Sequence, residues 1–252
     1  LQHYIMSYFK RLKLMKYMGS KNRFAKELLP IILKDRKENQ FYVETFAGGM
    51  NLIDKVKGNR IANDLNYYLI EMWIGLQNNY DRPYKITREM YSLARTDYNN
   101  NKNENYSNFL IGWIGWMGSF NGRFFDGGYS GHSVGKNERN YISEQIRNTE
   151  KQIDDLKCVK FHSNSYDDLV LPNDSLVYCD IPYNGTKQYA NSKSFNYLDF
   201  WQWCRDMTKN GHKVFVSEYN APDDFKCVWS KTVTNSMNTN KTYNPVEKLF
   251  TI

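Results

Sequence analysis

Apolar residues are arranged along the chain in short runs and in longer segments with helical spacing, and the two follow each other in order. Residues 41–44 form a short apolar and aromatic run, which predicts a strand, and an Ala-Gly-Gly turn then leads into a predicted helix from Met50. A second short strand is predicted to end at Asp64, and a strongly apolar helical segment follows it. Each strand, turn and helix corresponds to the first half of a βαβ unit.

The same alternation returns near Cys158. Residues 159–162, 176–179 and 213–217 predict further strands, and residues 197–209 predict a helix between the last two. The strand at 176–179 is followed directly by Asp-Ile-Pro-Tyr. Because ligands bind outside the carboxyl ends of the strands in an open α/β sheet, this sequence predicts a small polar and stacking site there.

Two regions have a different character. Residues 16–34 run from a glycine-containing turn into an amphipathic segment, in which Pro30 is expected to kink or break the helix. Residues 77–148 are rich in asparagine, tyrosine and glycine and have weak periodicity. We therefore predict an α/β core formed by residues 1–76 and 149–252, with a largely helical and loop insertion at 77–148.

Composition indicates a folded protein, and the net charge indicates the kind of partner it could bind. Of the 252 residues 41% are hydrophobic and 16% aromatic, which is typical of a chain with a packed core. No apolar run approaches the roughly 20 residues that a membrane span needs, and no signal-peptide pattern opens the chain, so we expect a soluble, intracellular protein. A net charge of +7 is compatible with a polyanionic partner. Part of this charge is an N-terminal cluster of Lys10, Arg11, Lys13, Lys16, Lys21, Arg23 and Lys26.

Cysteine and histidine spacing gives no support for a metal or redox site. The four cysteines contain no C-x-x-C pair, and the four histidines show no H-E-x-x-H spacing. We therefore expect no bound metal.

The glycine turn and Asp64 are weak signals when each is taken alone. "FAGG" lacks the full G-x-G-x-x-G pattern, and aspartate is common at helix N-termini. Asp64 nevertheless follows Glu44 by twenty residues, which is close to the spacing at which an acid reaches a ribose hydroxyl in nucleotide-binding folds.

Six blocks of sequence, in order, resemble those of one enzyme family. They are KYMGSK at 16–21, FYVETFAGG at 41–49, ANDLN at 62–66, FNGRFFDGGY at 120–129, YCDIPY at 178–183 and FVSEYNAPDDF at 215–225. Over most of its length the chain resembles a Dam-like, D12 class DNA adenine N6-methyltransferase. The resemblance implies a Rossmann-like core that binds S-adenosylmethionine, an inserted target-recognition domain, double-stranded DNA as substrate, and a location in the cytoplasm of a bacterial or phage-infected cell. Oligomeric state stays open.

The resemblance also assigns roles to residues around the cofactor. Asp64 corresponds to the acid that binds the ribose hydroxyls, and Ser165 and Tyr166 are weaker candidates for the wall around the cofactor's adenine. The cofactor-binding residues implied are Tyr17, Lys21, Glu44, Phe46, Gly48, Gly49, Asp64, Ser165, Tyr166 and Asp180.

The catalytic motif implied is Asp180, Ile181, Pro182 and Tyr183. An exocyclic adenine nitrogen is a poor nucleophile, and two acceptors, the Asp180 carboxylate and the Ile181 carbonyl, would favour its reactive form. Tyr183 would stack on the base, which must be flipped out of the duplex. The family most often has proline where this chain has Ile181. The isoleucine keeps the carbonyl but lacks the ring, so we expect it to affect the rigidity of the loop more than its chemistry. We expect reduced or normal activity rather than none.

In the insertion, Arg123 is a candidate for a phosphate or guanine contact and Asn121 for an adenine contact. Two alternatives stay open at this point. A cytosine N4-methyltransferase would use similar acceptors on another exocyclic amine, and a non-catalytic DNA-binding relative would keep the fold without turnover.

Overall fold

The computed structural model describes residues 14–133, 139–184, 195–233 and 245–252. These residues form two compact units. One contains residues 14–20, 68–133 and 139–157, and the other contains residues 21–67, 158–184, 195–233 and 245–252. Lys10, Arg11 and Lys13 of the predicted basic cluster lie outside the described residues.

The second unit is built on a seven-stranded mixed sheet. Its strands are β1 (Tyr42–Glu44), β2 (Arg60–Asn63), β5 (Val159–His162), β6 (Leu176–Asp180), β7 (Lys213–Glu218), β8 (Lys226–Thr232) and β9 (Val246–Thr251). Their order is β5-β2-β1-β6-β7-β9-β8. The first five strands are parallel, while β9 is antiparallel to both β7 and β8. The predicted α/β class is confirmed.

The strand order reverses between β1 and β6. β1 pairs with β2 on one side and with β6 on the other, with Glu44 opposite Tyr178. All residues of β1 and β2 are buried, as are the first four of β6, which is typical of central parallel strands. In such sheets the crevice at the reversal is the usual ligand site, and Glu44 and Asp180 end the two strands that border it.

Two helices of this unit lie in segments for which the sequence indicated helical character. Helix α6 (Tyr197–Lys209) has the predicted bounds, and the Asn196 side chain caps it by accepting bonds from Leu198 N and Asp199 N. Helix α1 (Ala25–Ile32) follows a 3₁₀ turn at Lys21–Phe24. The expected break at Pro30 is not seen, since the helix continues through Pro30 and ends at Ile32.

The predicted helix from Met50 is wrong. The structure has only a short 3₁₀ helix, Ile53–Lys55, in this connection. Met50 has a φ of 58° and Gly48 a φ of 50°, so the backbone is left-handed where the helix would begin. Strands β8 and β9 were not predicted at all.

The first unit is mainly helical. It contains most of α2 (Tyr67–Gln77), then α3 (Arg88–Asn100), α4 (Asn108–Gly118), a two-stranded ribbon of β3 (His132–Ser133) and β4 (Arg139–Asn140), and α5 (Tyr141–Leu156). Side chains of Thr87, Ser107 and Asn140 cap α3, α4 and α5. Helix α5 spans residue 148, the last residue of the predicted insertion.

A segment before the first glycine turn lies along α5. Gln152 accepts a hydrogen bond from Met15 N, and the Gln145 amide bonds to both N and O of Lys16. Glutamine side chains of α5 therefore bond to backbone groups of this segment, as a neighbouring strand would in a sheet. Among the residues that the structure describes, no helix has the length and apolar character needed to cross a bilayer.

Candidate active site

Acidic residues stand at one edge of the seven-stranded sheet. Each lies at or directly after the carboxyl end of a parallel strand, and they are Glu44 (β1), Asp64 (β2), Asp180 (β6) and Glu218 (β7). Carboxyl ends of parallel strands meet at the same edge, so these four define a single acidic border.

Asp64 is tied to the glycine turn after β1. Its Oδ2 accepts a hydrogen bond from Gly48 N at 2.9 Å, and its Oδ1 accepts one from Asn66 N at 2.9 Å. Burial raises the pKa of Asp64, although the two backbone N–H groups oppose the change. Gly49 is buried in the same turn. The glycine turn and Asp64, which the sequence analysis selected separately, are thus in direct contact.

Asn63, which the sequence analysis did not select, fixes this corner. It is fully buried, and its Nδ2 donates to Thr45 O at 3.1 Å and to Asn164 O at 3.0 Å. Its Oδ1 accepts a bond from Asn164 N at 2.9 Å. One amide therefore joins the loops after β1 and β5. The available signal was a polar residue at the end of a strand, directly before Asp64.

Glu44 is buried below the edge. The hydroxyl of Tyr42 donates to its Oε1 at 2.8 Å, and burial raises the pKa of Glu44 to about 8. At neutral pH this side chain is therefore largely protonated, a state in which it can donate a hydrogen bond.

Phe46 lies in an aromatic cluster with Tyr166. Their ring centroids are 5.6 Å apart, and Phe195 and Phe200 approach Phe46 at 5.8 and 6.0 Å. Burial raises the pKa of Tyr166 to about 12, so its hydroxyl stays neutral. The Ser165 hydroxyl donates to Asp167. Phe46 and Tyr166 therefore form an apolar wall beside the turn, while Ser165 stabilises its own loop.

Asp180 forms an ion pair with Lys21. The Lys21 Nζ lies 3.0 Å from Asp180 Oδ1, and both residues belong to the sheet unit. Burial raises the pKa of Asp180 to about 6, and Lys21 limits that rise. Burial alone would lower the pKa of Lys21, but Asp180 and Glu247 outweigh it and raise the pKa. The pair is thus charged at neutral pH in a poorly solvated position.

Three side chains contact Tyr183. Its hydroxyl donates to Glu247 Oε2 at 2.7 Å, and Lys21 Nζ lies 4.5 Å from the centre of its ring. The Tyr219 ring meets it edge-on at 4.5 Å. Glu247 also lies 3.6 Å from Lys21 Nζ, so one acidic residue contacts both partners.

The loop between Asp180 and Tyr183 is anchored by packing. Ile181 is 2% exposed and belongs to the apolar cluster that includes Phe200 and Trp201. The Tyr197 hydroxyl donates to Pro182 O at 2.8 Å. The isoleucine therefore fills a core position, which provides a restraint in place of the ring that the family's usual proline would supply.

Glu218 fixes the end of the same loop. Its Oε1 accepts a hydrogen bond from Asn184 N at 2.6 Å, and its Oε2 accepts bonds from Tyr219 N and Asn220 N. Together with Asn63 and Glu247, it is a site residue that the sequence analysis missed.

The remaining predicted residues lie in the helical unit. Tyr17 stacks on Trp116 at 5.1 Å with an interplanar angle of 27°. Asn121 is exposed and left-handed, with a φ of 54°, and Arg123 pairs with Asp126. Between them, Gly122 has a φ of 66°, and a Cβ there would lie 2.0 Å from Lys16 O. Glycine is therefore required at this turn.

A family model described as D12 class N6 adenine-specific DNA methyltransferase matches residues 17–248. The chain belongs to this family. The predicted resemblance is confirmed, and with it adenine N6 methylation of DNA as the activity. A search of curated proteins finds no match.

The matched span of this methyltransferase includes every site residue described above. It begins at Tyr17, covers the glycine turn and Asp64, and extends past Glu247 on β9. The family is adenine-specific, so it supports the primary prediction over a cytosine N4 activity.

Proposed function

We propose that this methyltransferase moves a methyl group from S-adenosylmethionine to N6 of an adenine extruded from double-stranded DNA, with Asp180, Ile181, Pro182 and Tyr183 as the catalytic loop. The observation that carries the proposal is the position of Asp180. It ends a buried strand beside the reversal in strand order, and it pairs with Lys21, whose ammonium also lies over the Tyr183 ring.

The residues at the glycine turn fit this cofactor. A carboxylate offers about four acceptor positions, and two of those on Asp64 bond to Gly48 N and Asn66 N, which leaves capacity for a vicinal diol. Gly48 and Gly49 allow close approach of a ligand to the backbone. Phe46, Tyr166 and Ser165 supply the wall for a purine, and Glu44 and Lys21 complete the set proposed in the sheet unit. Tyr17, in the helical unit, stays a prediction from the family resemblance. When bound, S-adenosylmethionine supplies a methyl group on a positively charged sulfur.

The loop residues prepare the target nitrogen. The lone pair of an adenine amino group is delocalised into the ring, and two acceptors on its N–H bonds favour the form in which that pair faces the methyl group. The Asp180 carboxylate and the Ile181 carbonyl are these acceptors. Both are fixed before the reaction, because Asp180 ends a strand and Ile181 is packed in the core, so they stabilise the positive charge that develops on N6.

Tyr183 supplies the surface on which the extruded base rests. A target nitrogen inside a duplex is out of reach, so the nucleotide must leave the stack, and stacking on an aromatic ring returns roughly 1 to 3 kcal/mol of that cost. Tyr183 is fixed by Glu247 and Tyr219 before any base arrives.

We assign DNA recognition to the insertion at residues 77–148. Its turn at 120–129 presents the exposed Asn121 beside Arg123, a pair suited to base-edge and phosphate contacts. The net charge of +7 favours a polyanion. A DNA-modifying enzyme works where DNA is, so we place it in the cytoplasm of a bacterial or phage-infected cell.

The test compares the wild-type chain with Asp180→Ala and the isosteric Asp180→Asn. Duplex DNA free of N6-methyladenine is incubated with S-adenosylmethionine, and modified bases are mapped by sequencing. The wild type should produce N6-methyladenine at defined sites, whereas both variants should lose turnover while keeping DNA affinity. Near-normal turnover in Asp180→Ala would overturn the assignment. DNA binding by the wild type without cofactor binding in isothermal titration would instead indicate the non-catalytic relative.

A further inference from the structure

Glu247 stands apart from the loops of the proposed site, on antiparallel strand β9, but its carboxylate reaches the catalytic loop. Its side chain is 9% exposed. Because β9 runs against β7, with Lys248 opposite Glu218, the beginning of β9 lies at the carboxyl edge of the parallel strands.

The carboxylate of Glu247 contacts three groups. Its Oε2 accepts the Tyr183 hydroxyl at 2.7 Å and lies 3.6 Å from Lys21 Nζ, while its Oε1 lies 3.6 Å from an Arg23 nitrogen. Lys21 in turn lies 3.0 Å from Asp180. A buried cation is thus placed between two carboxylates, one on the proposed acceptor and one on β9.

We propose that Glu247 is a positioning residue for methyl transfer, which orients the Tyr183 ring through its hydroxyl and shares the Lys21 charge so that Asp180 stays available to the target amine. This inference rests on the proposed function and adds a residue that the proposed catalytic loop does not contain.

The orientation part follows from the geometry of Tyr183. A stacking platform needs a fixed plane, and the ring is restrained at its far end by Glu247, at its edge by Tyr219 and at its face by Lys21. A hydrogen bond to a charged acceptor is stronger than one between neutral groups. The hydroxyl of Tyr183 therefore fixes the orientation of the ring and does not contact the reacting atoms.

The charge part follows from competition for Lys21. An ammonium group shared between two carboxylates binds each less tightly than it would bind one alone. Without the charge on Glu247, Lys21 would pair more strongly with Asp180, which would then be a weaker acceptor for an amine and would be protonated at lower pH. The titratable groups that interact with Asp180, on its own strand and on the segments around it, are Lys21, Glu44, Tyr178, Cys179, Tyr183 and Glu247.

The experiment uses Glu247→Gln, which keeps size and an acceptor oxygen but removes the charge. Tyr183→Phe removes only the hydroxyl, and Glu38→Gln on an exposed turn is the matched control. Single-turnover methylation of unmethylated duplex DNA is measured from pH 5 to 9, together with S-adenosylmethionine affinity by titration.

We expect Glu247→Gln to lower the plateau rate roughly ten-fold and to move the acid limb to lower pH. Tyr183→Phe should lower the plateau without moving the limb, and all variants should bind the cofactor like wild type. Combining Tyr183→Phe with Glu247→Ala should be no worse than Glu247→Ala alone, because the Tyr183 hydroxyl acts through its bond to Glu247.

A carbon-13 NMR titration of the Asp180 carboxyl measures its pKa directly, without methyl transfer. In Glu247→Gln we expect this pKa to move to lower pH, as the acid limb does. Absence of methyl transfer by the wild type would count against the proposed function alone. The titration would still show whether the Glu247 charge changes the pKa of Asp180. An unchanged rate, acid limb and Asp180 titration in Glu247→Gln would overturn the inference. A thermal melt equal to wild type excludes unfolding as the cause of any loss.

Discussion

The Lys21 ammonium lies 3.0 Å from the Asp180 carboxylate, although 159 residues of chain separate the two. The pair joins a residue near the start of the family match to the loop that we propose as catalytic. Lys21 was expected among the cofactor contacts, and the structure places it against the carboxylate that we propose as acceptor. Its charge therefore opposes the rise that burial causes in the pKa of Asp180.

Lys21→Met should move the acid limb of methyl transfer to higher pH. Burial raises the pKa of Asp180 to about 6, and the Lys21 charge opposes this rise, so removing it raises the pKa further. The rate falls as pH falls through that pKa, because protonated Asp180 is a weaker acceptor. Single-turnover rates across pH check this, with Lys231→Met on the exposed Glu27 pair as control. An unmoved limb would show that Asp180 titration does not limit the rate.

Asp64→Asn should weaken S-adenosylmethionine binding with little effect on DNA affinity. Asparagine keeps one acceptor oxygen for Gly48 N or Asn66 N but loses the charge that bonds ribose hydroxyls most strongly. Loss of a hydrogen bond to a charged group costs about 1.5 to 3 kcal/mol, which is roughly a 10- to 150-fold rise in Kd. Isothermal titration measures the Kd for S-adenosylmethionine, and Asp35→Asn on the surface is the control. Unchanged cofactor affinity would remove Asp64 from the site.

Asn63→Ala should destabilise the fold and weaken cofactor binding together. The buried amide satisfies Thr45 O, Asn164 O and Asn164 N, and its loss leaves these backbone groups without that partner. We expect about 2 to 4 kcal/mol of lost stability in urea unfolding. Full stability of the variant would show that water replaces the amide.

Local patterns were sufficient for the central elements of the fold. The strand at Leu176–Asp180 is a continuous apolar run, and the helix at Tyr197–Lys209 has regular spacing and a capping residue, so both were predictable. The helix expected from Met50 failed because two left-handed residues determine that turn, and apolar spacing carries no information on φ. Strands β8 and β9 pair mainly with each other, a long-range relation that no short window contains.

The site was predictable only where its residues follow strands in the sequence. Asp64 directly follows the strand that ends at Asn63, and Asp180 directly follows an apolar run. Parallel strands of an α/β sheet place such residues at one edge. Glu247 contacts Tyr183 across 64 residues, and this contact depends on β9 running antiparallel to β7. Nothing in the local sequence of either residue specifies that pairing.

Ile181 should matter more to stability than to chemistry. Its side chain is buried in the core cluster, so Ile181→Ala should cost about 2 to 5 kcal/mol in urea unfolding. Ile181→Pro restores the residue most usual in the family and keeps the carbonyl, so its single-turnover rate should stay within a few fold of wild type. A loss of turnover as large as in Asp180→Ala would show that the isoleucine side chain itself, rather than its carbonyl, is needed.

Arg123 and Asp126 should have opposite effects on DNA binding. Their side chains form an ion pair at a partly exposed turn, so the carboxylate competes with a phosphate for the guanidinium. Arg123→Ala should weaken binding and, for a phosphate contact, reduce the salt slope of log K by about one unit. Asp126→Asn should strengthen binding, because the arginine is released and a negative charge near DNA is removed. Fluorescence anisotropy at several salt concentrations measures both. If Arg123 instead reads a guanine edge, affinity should fall for one target sequence only and the salt slope should stay unchanged.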